Sequence, residues 1–164
     1  MKQLSLSIIL MGLFALTASA QKFGHINSQE ILSNMPENAE MQASIESQTE
    51  ELRTELTRMQ QEFQTKLAEY QSKSATWPKA ILEQKERELQ SLEQGMQEFS
   101  VTAQNDLVQL EQSLLMPVIE RIQAAIDEVG SENGFTYIFD TTAGSVVYTG
   151  GEDVGPLVRA KLGM

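Results

Sequence analysis

From Met41 to Tyr70 the apolar residues stand at positions 41, 45, 52, 56, 59, 63, 67 and 70. Steps of three, four and seven are helical, and they trace a narrow seam rather than a broad core face. After one interruption Leu89, Leu92, Met96, Phe99, Ala103, Leu107, Leu110 and Leu114 resume the rhythm. The residues between them are mostly Glu, Gln, Lys, Ser and Thr, which helices tolerate on a wet face. The two seams are mirror images. Met41 with Leu114, Ile45 with Leu110, Leu52 with Ala103, Leu56 with Phe99, Met59 with Met96 and Phe63 with Leu92 all have position numbers adding to 155. Leu67 with Leu89 misses by one, and the midpoint falls between Trp77 and Pro78. Two helices folded back there meet layer against layer as an antiparallel coiled coil.

Proline disfavours helical geometry in the residue before it, yet it fits the first turn of a following helix. Residues 74–79 therefore read as the tip of a helical hairpin. At about 1.5 Å per residue, the 36 steps from Met41 to Trp77 extend roughly 54 Å. A seam between two helices buries each leucine only in part, short of the about 1.5–3 kcal/mol of full burial. Such an arm is marginal alone and mobile towards its tip.

The flanking segments have a different pattern. Phe23 to Asn27 reads as a short strand, and Asn27 caps a helix with Glu30 three residues on, as in a capping box. Asn34-Met35-Pro36-Glu37 stops that helix and starts the first arm. FTYIFD (135–140) and SVVYT (145–149), joined by Thr141 to Gly144 and ended by Gly150-Gly151, read as a β-hairpin. Asp153 can cap a last helix through Leu162, with Pro156 tolerated in its first turn. Pro117 removes one backbone bond and is expected to bend the second arm. Beyond it Val118, Ile122, Ile126 and Val129 continue an apolar stripe with nothing left on the first arm to face, so they are expected to pack on the sheet. Three short strands and a few helical turns make a poor core for one chain, which predicts oligomerisation through this base.

The chain opens MKQLSLSIILMGLFALTASA, with Lys2, an apolar run from Leu6 to Leu16, and Ala18-Ser19-Ala20 as an A-x-A cleavage pattern. This is the form of a secretory signal peptide cleaved after Ala20; a retained anchor would need about 18 or more apolar residues. The expected division is a signal peptide at 1–20, a body strand and short helix at 21–36, and the hairpin arm at 37–131, with its base after 117. Residues 132–164 return to the body. The protein is expected to be soluble beyond the inner membrane.

Composition narrows the chemistry. The absence of cysteine removes disulfides, thiolate metal sites and a thiol for lipidation. A net charge of −11, or −12 without Lys2, argues against general nucleic-acid binding. One histidine, His25, leaves no basis for a histidine metal cluster or a catalytic triad, and its place in FGHIN suits a structural strand residue. No Walker-type loop is present to drive work with ATP. The acids lie at the spacing of solvated helical faces and no nucleophile–base pair is evident. No cofactor, no metal and no enzymatic activity are expected.

The opening FGHINSQEILSNMPE and the ending GFTYIFDTTAGSVVYTGGEDVGPLVRAKLG, with a hairpin between them, resemble the Skp (OmpH) family of periplasmic chaperones across essentially the whole mature chain. The resemblance implies an α+β fold in which a long antiparallel coiled-coil hairpin projects from a small β-barrel-like body completed by oligomerisation, expected to be a trimer. It also implies a homotrimer that holds unfolded outer-membrane proteins, without ATP, in a cavity between three arms. One departure is plain. The best-known members are basic, whereas Glu37 to Glu128 here carries 8 Lys and Arg against 18 Asp and Glu. A basic patch for clients or lipopolysaccharide does not carry over, so the grip on clients is expected to be mainly apolar.

Val101, Val108 and Leu115 are spaced by sevens but lie off the seam, about 140° round the helix from it. Val101 and Val108 are candidate client contacts lining a cavity wall; packing against another protomer or the body would also explain them, as it would Leu115. Trp77 either covers the end of the seam on Tyr70 and Leu82, or meets client chains or, transiently, membrane headgroups. Leu52, Leu56, Met59, Phe63, Leu92, Met96, Phe99 and Ala103 are seam residues. Two functions remain in play: a periplasmic holdase for unfolded outer-membrane proteins, and a structural coiled-coil envelope protein that docks one dedicated partner.

Overall fold

The computed structural model describes residues 21–164, so the expected signal peptide and its cleavage site lie outside the described residues. Strand β1 (Lys22–Ile26) leads into helix α1 (Ser28–Asn34), then α2 (Pro36–Lys73), a short 3-10 turn (Ser74–Thr76) and α3 (Lys79–Glu132). Strand β2 (Phe135–Asp140), the two-residue strand β3 (Glu152–Asp153) and helix α4 (Gly155–Leu162) complete the chain. It divides into two compact units, residues 32–120 and the remainder.

The first unit is a helical hairpin. Trp77, at φ −82° and ψ 141°, is extended, the geometry that Pro78 imposes on the residue before it. The carbonyl of Pro78 then accepts the first bonds of α3, from the N–H groups of Ile81 and Leu82. Contacts across the two helices connect Lys66 with Glu88, Lys85 with Glu69 at 3.9 Å, and the Tyr70 hydroxyl, donating, with Glu86 at 2.6 Å. A Cβ placed on Gly95 would stand 3.8 Å from Cε of Met59. Every one of these pairs has position numbers adding to within one of 155, the register read from the apolar mirror. Helix α3 runs through Pro117 as one element.

The second unit is a three-stranded sheet of order β2-β1-β3, with β1 pairing both neighbours in parallel. Gly24 faces Ile138 and Glu152, and His25 faces Phe139 and Asp153. Its core consists of Ile26, Ile31, Ile122, Ala125, Val129, Val154, Val158 and Leu162, all buried. The stripe expected to cover the sheet is thus present, with Ala125 buried beside a half-buried Ile126. A Cβ at Gly130 would come 3.4 Å from Cδ1 of Ile138, so the helix lies close upon β2. At Gly24 the strand is closer still: a Cβ there would meet Phe135 and Val154 at 2.9 Å, so a larger residue must displace one of them. Gly134, at φ +69°, turns the chain from α3 into β2.

The ends of these elements are fixed by polar side chains. Asn27 Oδ1 accepts the Glu30 N–H at 2.9 Å, and Asp153 Oδ1 accepts the Gly155 N–H at 2.9 Å. Asp140, at the end of β2, accepts from the N–H and hydroxyl of both Ser28 and Thr142. Burial alone would raise its carboxyl; the hydrogen bonds from Ser28 and Thr142 outweigh it and hold the group below the ordinary aspartate range.

The β-hairpin expected from FTYIFD and SVVYT does not form. Residues 145–149 are not a strand, and Val147 is 99% and Tyr148 86% exposed. The reason is topological. β2 and β3 both run parallel to β1 on its opposite edges, so the chain leaving β2 must return to the other end of the sheet before β3 begins. Residues 141–151 make that return, and SVVYT lies within it.

Candidate interaction surfaces

Within the hairpin, Leu52, Leu56, Met59 and Phe63 on α2 and Leu92, Met96, Phe99 and Ala103 on α3 are all half-buried, and α2 has no buried residue. Two helices alone shield each seam side chain on one side only, which is why the seam never closes into a core. Near the tip, ion pairs supplement it. Lys66 bridges to Glu88 across the seam, and Lys85 reaches Glu88 at 3.3 Å on its own helix. The hydrogen bond to Glu88 raises the Lys66 ammonium above the ordinary lysine range; in return Lys66, then Lys85, lowers the Glu88 carboxyl. Glu69 is lowered chiefly by its bond to Lys73, and the Tyr70 hydroxyl is raised by donating to Glu86.

Trp77 is half-buried and stands edge-on to Tyr70, with ring centroids 6.1 Å apart and planes at 61°. The ammonium of Lys85 lies 6.0 Å from the indole centroid, at the outer limit of a cation–π contact. The tip thus joins an amphipathic ring to the ion-pair cluster beneath it.

Val101 is 61% and Val108 52% exposed, while Leu115 is half-buried. Met116 and Ile119 extend the same exposed apolar line, at 52% and 42%. Val101 and Ile119 are five helical turns apart and so share one azimuth on α3. Sequence reasoning followed the heptad from Val101 to Leu115 and missed this pair, although the eighteen-residue interval between Val101 and Ile119 is visible in the sequence.

In the second unit the exposed side of the sheet carries three aromatic rings. Phe23 stacks on Tyr137 at 6.1 Å and 7°, Phe23 on Phe139 at 6.4 Å and 25°, and Tyr137 on Phe139 at 6.1 Å and 27°. All three remain largely exposed. Period-two alternation in FTYIFD signals this face, since Tyr137 and Phe139 share one side of the strand. Beside β1 a cleft of about 230 Å³ is lined by His25, Asn27, Glu30, Asp153 and Arg159 among others. Arg159 donates to Glu30 at 3.4 Å there, and His25 Nδ1 is buried without a hydrogen-bond partner. Among the described residues no group of three or more His, Asp or Glu could hold a metal ion.

The exposed apolar surfaces, the Val101 to Ile119 line of α3 and the aromatic face of the sheet, are thus distributed over both units. One solved structure similar in fold is that of a candidate outer membrane chaperone (OmpH-like) from Caulobacter crescentus, determined at 2.83 Å resolution. It is 18% identical, with a TM-score of 0.75 over 88% of this chain and 85% of that one. At that identity the likeness concerns the fold alone. No curated protein matches the chain. The sequence model of the OmpH-like outer membrane proteins matches residues 22–162, from the first residue of β1 to the last of α4. The chain therefore belongs to the OmpH-like (Skp) family.

Proposed function

We propose that this protein is an ATP-independent holdase chaperone of the periplasm. It binds unfolded outer-membrane proteins in a cavity between the hairpin arms of a homotrimer and prevents their aggregation. The observation that carries the reading is the line of Val101 and Val108, aliphatic side chains exposed on the face of α3 turned away from the seam. A face that only met water would be polar. Family membership agrees with it.

The homotrimer is supported by the aromatic face of Phe23, Tyr137 and Phe139 and by the exposed Val147 and Tyr148, apolar surface that a monomer would leave in water. Closure of this face against two further copies would give the barrel-like body. Holding by many weak apolar contacts on separate arms raises the effective concentration of binding sites without requiring one client sequence.

Val101→Lys with Val108→Lys should weaken suppression of aggregation of an unfolded barrel protein several-fold while leaving the mass in solution unchanged. A fall in mass to the single subunit would instead make these valines interface residues. Trp77 emission, followed as the same client is added, tests the tip: a maximum that does not move excludes the indole as a client anchor.

A further inference from the structure

The hairpin is electrically divided along its length. Residues 53–102, the end that includes Trp77, carry seven Lys and Arg against eight Asp and Glu. Several of these pair, including Arg58 with Glu55 and Glu62, Lys66 with Glu88, and Lys73 with Glu69. The opposite end, residues 38–52 of α2 and 103–120 of α3, carries seven carboxylates and not one Lys or Arg in 33 residues. Glu46, Glu50, Asp106 and Glu111 are among them, and all seven are exposed. The same end holds Val108, Met116 and Ile119 of the exposed apolar line, with Val101 at its border.

We infer that the face of α3 from Val101 to Ile119 is a docking surface for polypeptide segments that combine apolar with cationic side chains, so that this protein selects clients by positive charge. The inference rests on the holdase reading and names its substrate class. Aliphatic side chains supply the contact area, and the exposed carboxylates of this end of the hairpin, Asp106, Glu111 and Glu120 on α3 itself among them, surround it with negative charge. Rim charges of one sign attract the opposite sign and reject their own. A second copy of this hairpin fits the surface poorly, because it would bring another seven carboxylates against the first seven. An anionic lipid surface is rejected for the same reason. The tip half, where charges are nearly balanced and partly paired, exerts no comparable bias.

The test uses three short unfolded peptides with one shared Leu, Val and Ser pattern, differing only at interspersed positions filled by Lys, Gln or Glu. Binding to the protein is followed by anisotropy of the labelled peptide at about 20 mM and about 300 mM salt. The Lys peptide should bind about tenfold tighter than the Glu peptide at the lower salt, the ratio shrinking to about twofold at the higher. The combined variant Glu46→Gln, Glu50→Gln, Asp106→Asn and Glu111→Gln should remove most of that preference, whereas Val101→Ser with Val108→Ser should weaken all three peptides alike. Equal binding of the three, while an unfolded barrel protein is still kept from aggregating, overturns this inference and leaves the holdase reading standing. If no peptide binds and the barrel protein aggregates as it does alone, the holdase reading falls and this one with it. A preference that persists in the combined variant locates the cationic contact elsewhere and refutes the assignment.

Discussion

The sheet unit and the hairpin are built from the same kinds of residue and held together in opposite ways. In the sheet unit Ile31, Val154 and Val158 are fully buried, in a core to which β1 and three helices, α1, α3 and α4, all contribute side chains. In the hairpin no seam residue reaches that state, although the seam is far longer. The number of elements that meet, not the number of leucines, makes the difference. Stability in the sheet unit is concentrated in a few side chains that each matter greatly; in the hairpin it is spread over many that each matter little. That suits the two proposed tasks, one unit fixing a unique assembly and the other yielding to varied clients.

The comparison is sharpest at single truncations. Ile31→Ala, in the sheet unit, should cost about 2–5 kcal/mol, since a fully buried side chain loses its transfer energy and leaves a cavity. Leu56→Ala, in the middle of the seam, should cost only about 1 kcal/mol, because part of its surface already meets water. Urea unfolding of the two variants at one protein concentration checks both, concentration being held fixed because assembly contributes to stability. Equal costs would mean that the seam is shielded by something beyond its partner helix, and the contrast between the two units would fail.

How much of the molecule is legible in its sequence follows from the same contrast. The hairpin repeats one rule from layer to layer, so the mirror about Trp77 and Pro78 places Lys66 near Glu88 and Tyr70 near Glu86 from position numbers alone. Caps are equally local, and Asn27 and Asp153 act within three residues of themselves. The sheet is another matter. β1 pairs with a strand more than a hundred residues later, and nothing in either segment states that the pairing is parallel. SVVYT has strand composition, yet that composition records fitness for a half-buried surface rather than the presence of a partner. With β1 occupied on both edges, SVVYT became a connection. Of the candidate site, Val101 and Val108 could be read from the heptad, but Met116 and Ile119 required the exposure of each side chain, and the role of all four rests on the binding experiments above.

The smallest effect concerns the ion pairs near the tip, and it can be isolated by pH. Glu88, Glu69 and Glu55 all have carboxyls held below the ordinary value of 4.5, by Lys66, Lys73 and Arg58 respectively as the leading partners. A carboxyl lowered in the folded state contributes stability above its unfolded pKa and loses that contribution as pH falls through the folded one. Glu88→Gln should therefore lower the urea midpoint slightly at neutral pH, by less than Leu56→Ala does, because exposed pairs are screened and contribute little. The difference between variant and parent should hold down to about pH 4.5 and then vanish as the parent's own Glu88 takes up its proton. Salt at neutral pH should shrink the same difference. A gap that persisted unchanged at pH 3 would mean that Glu88 acts through packing rather than charge. The tip would then be held as the rest of the seam is, by partial apolar contact, and the ion pairs would be incidental to it.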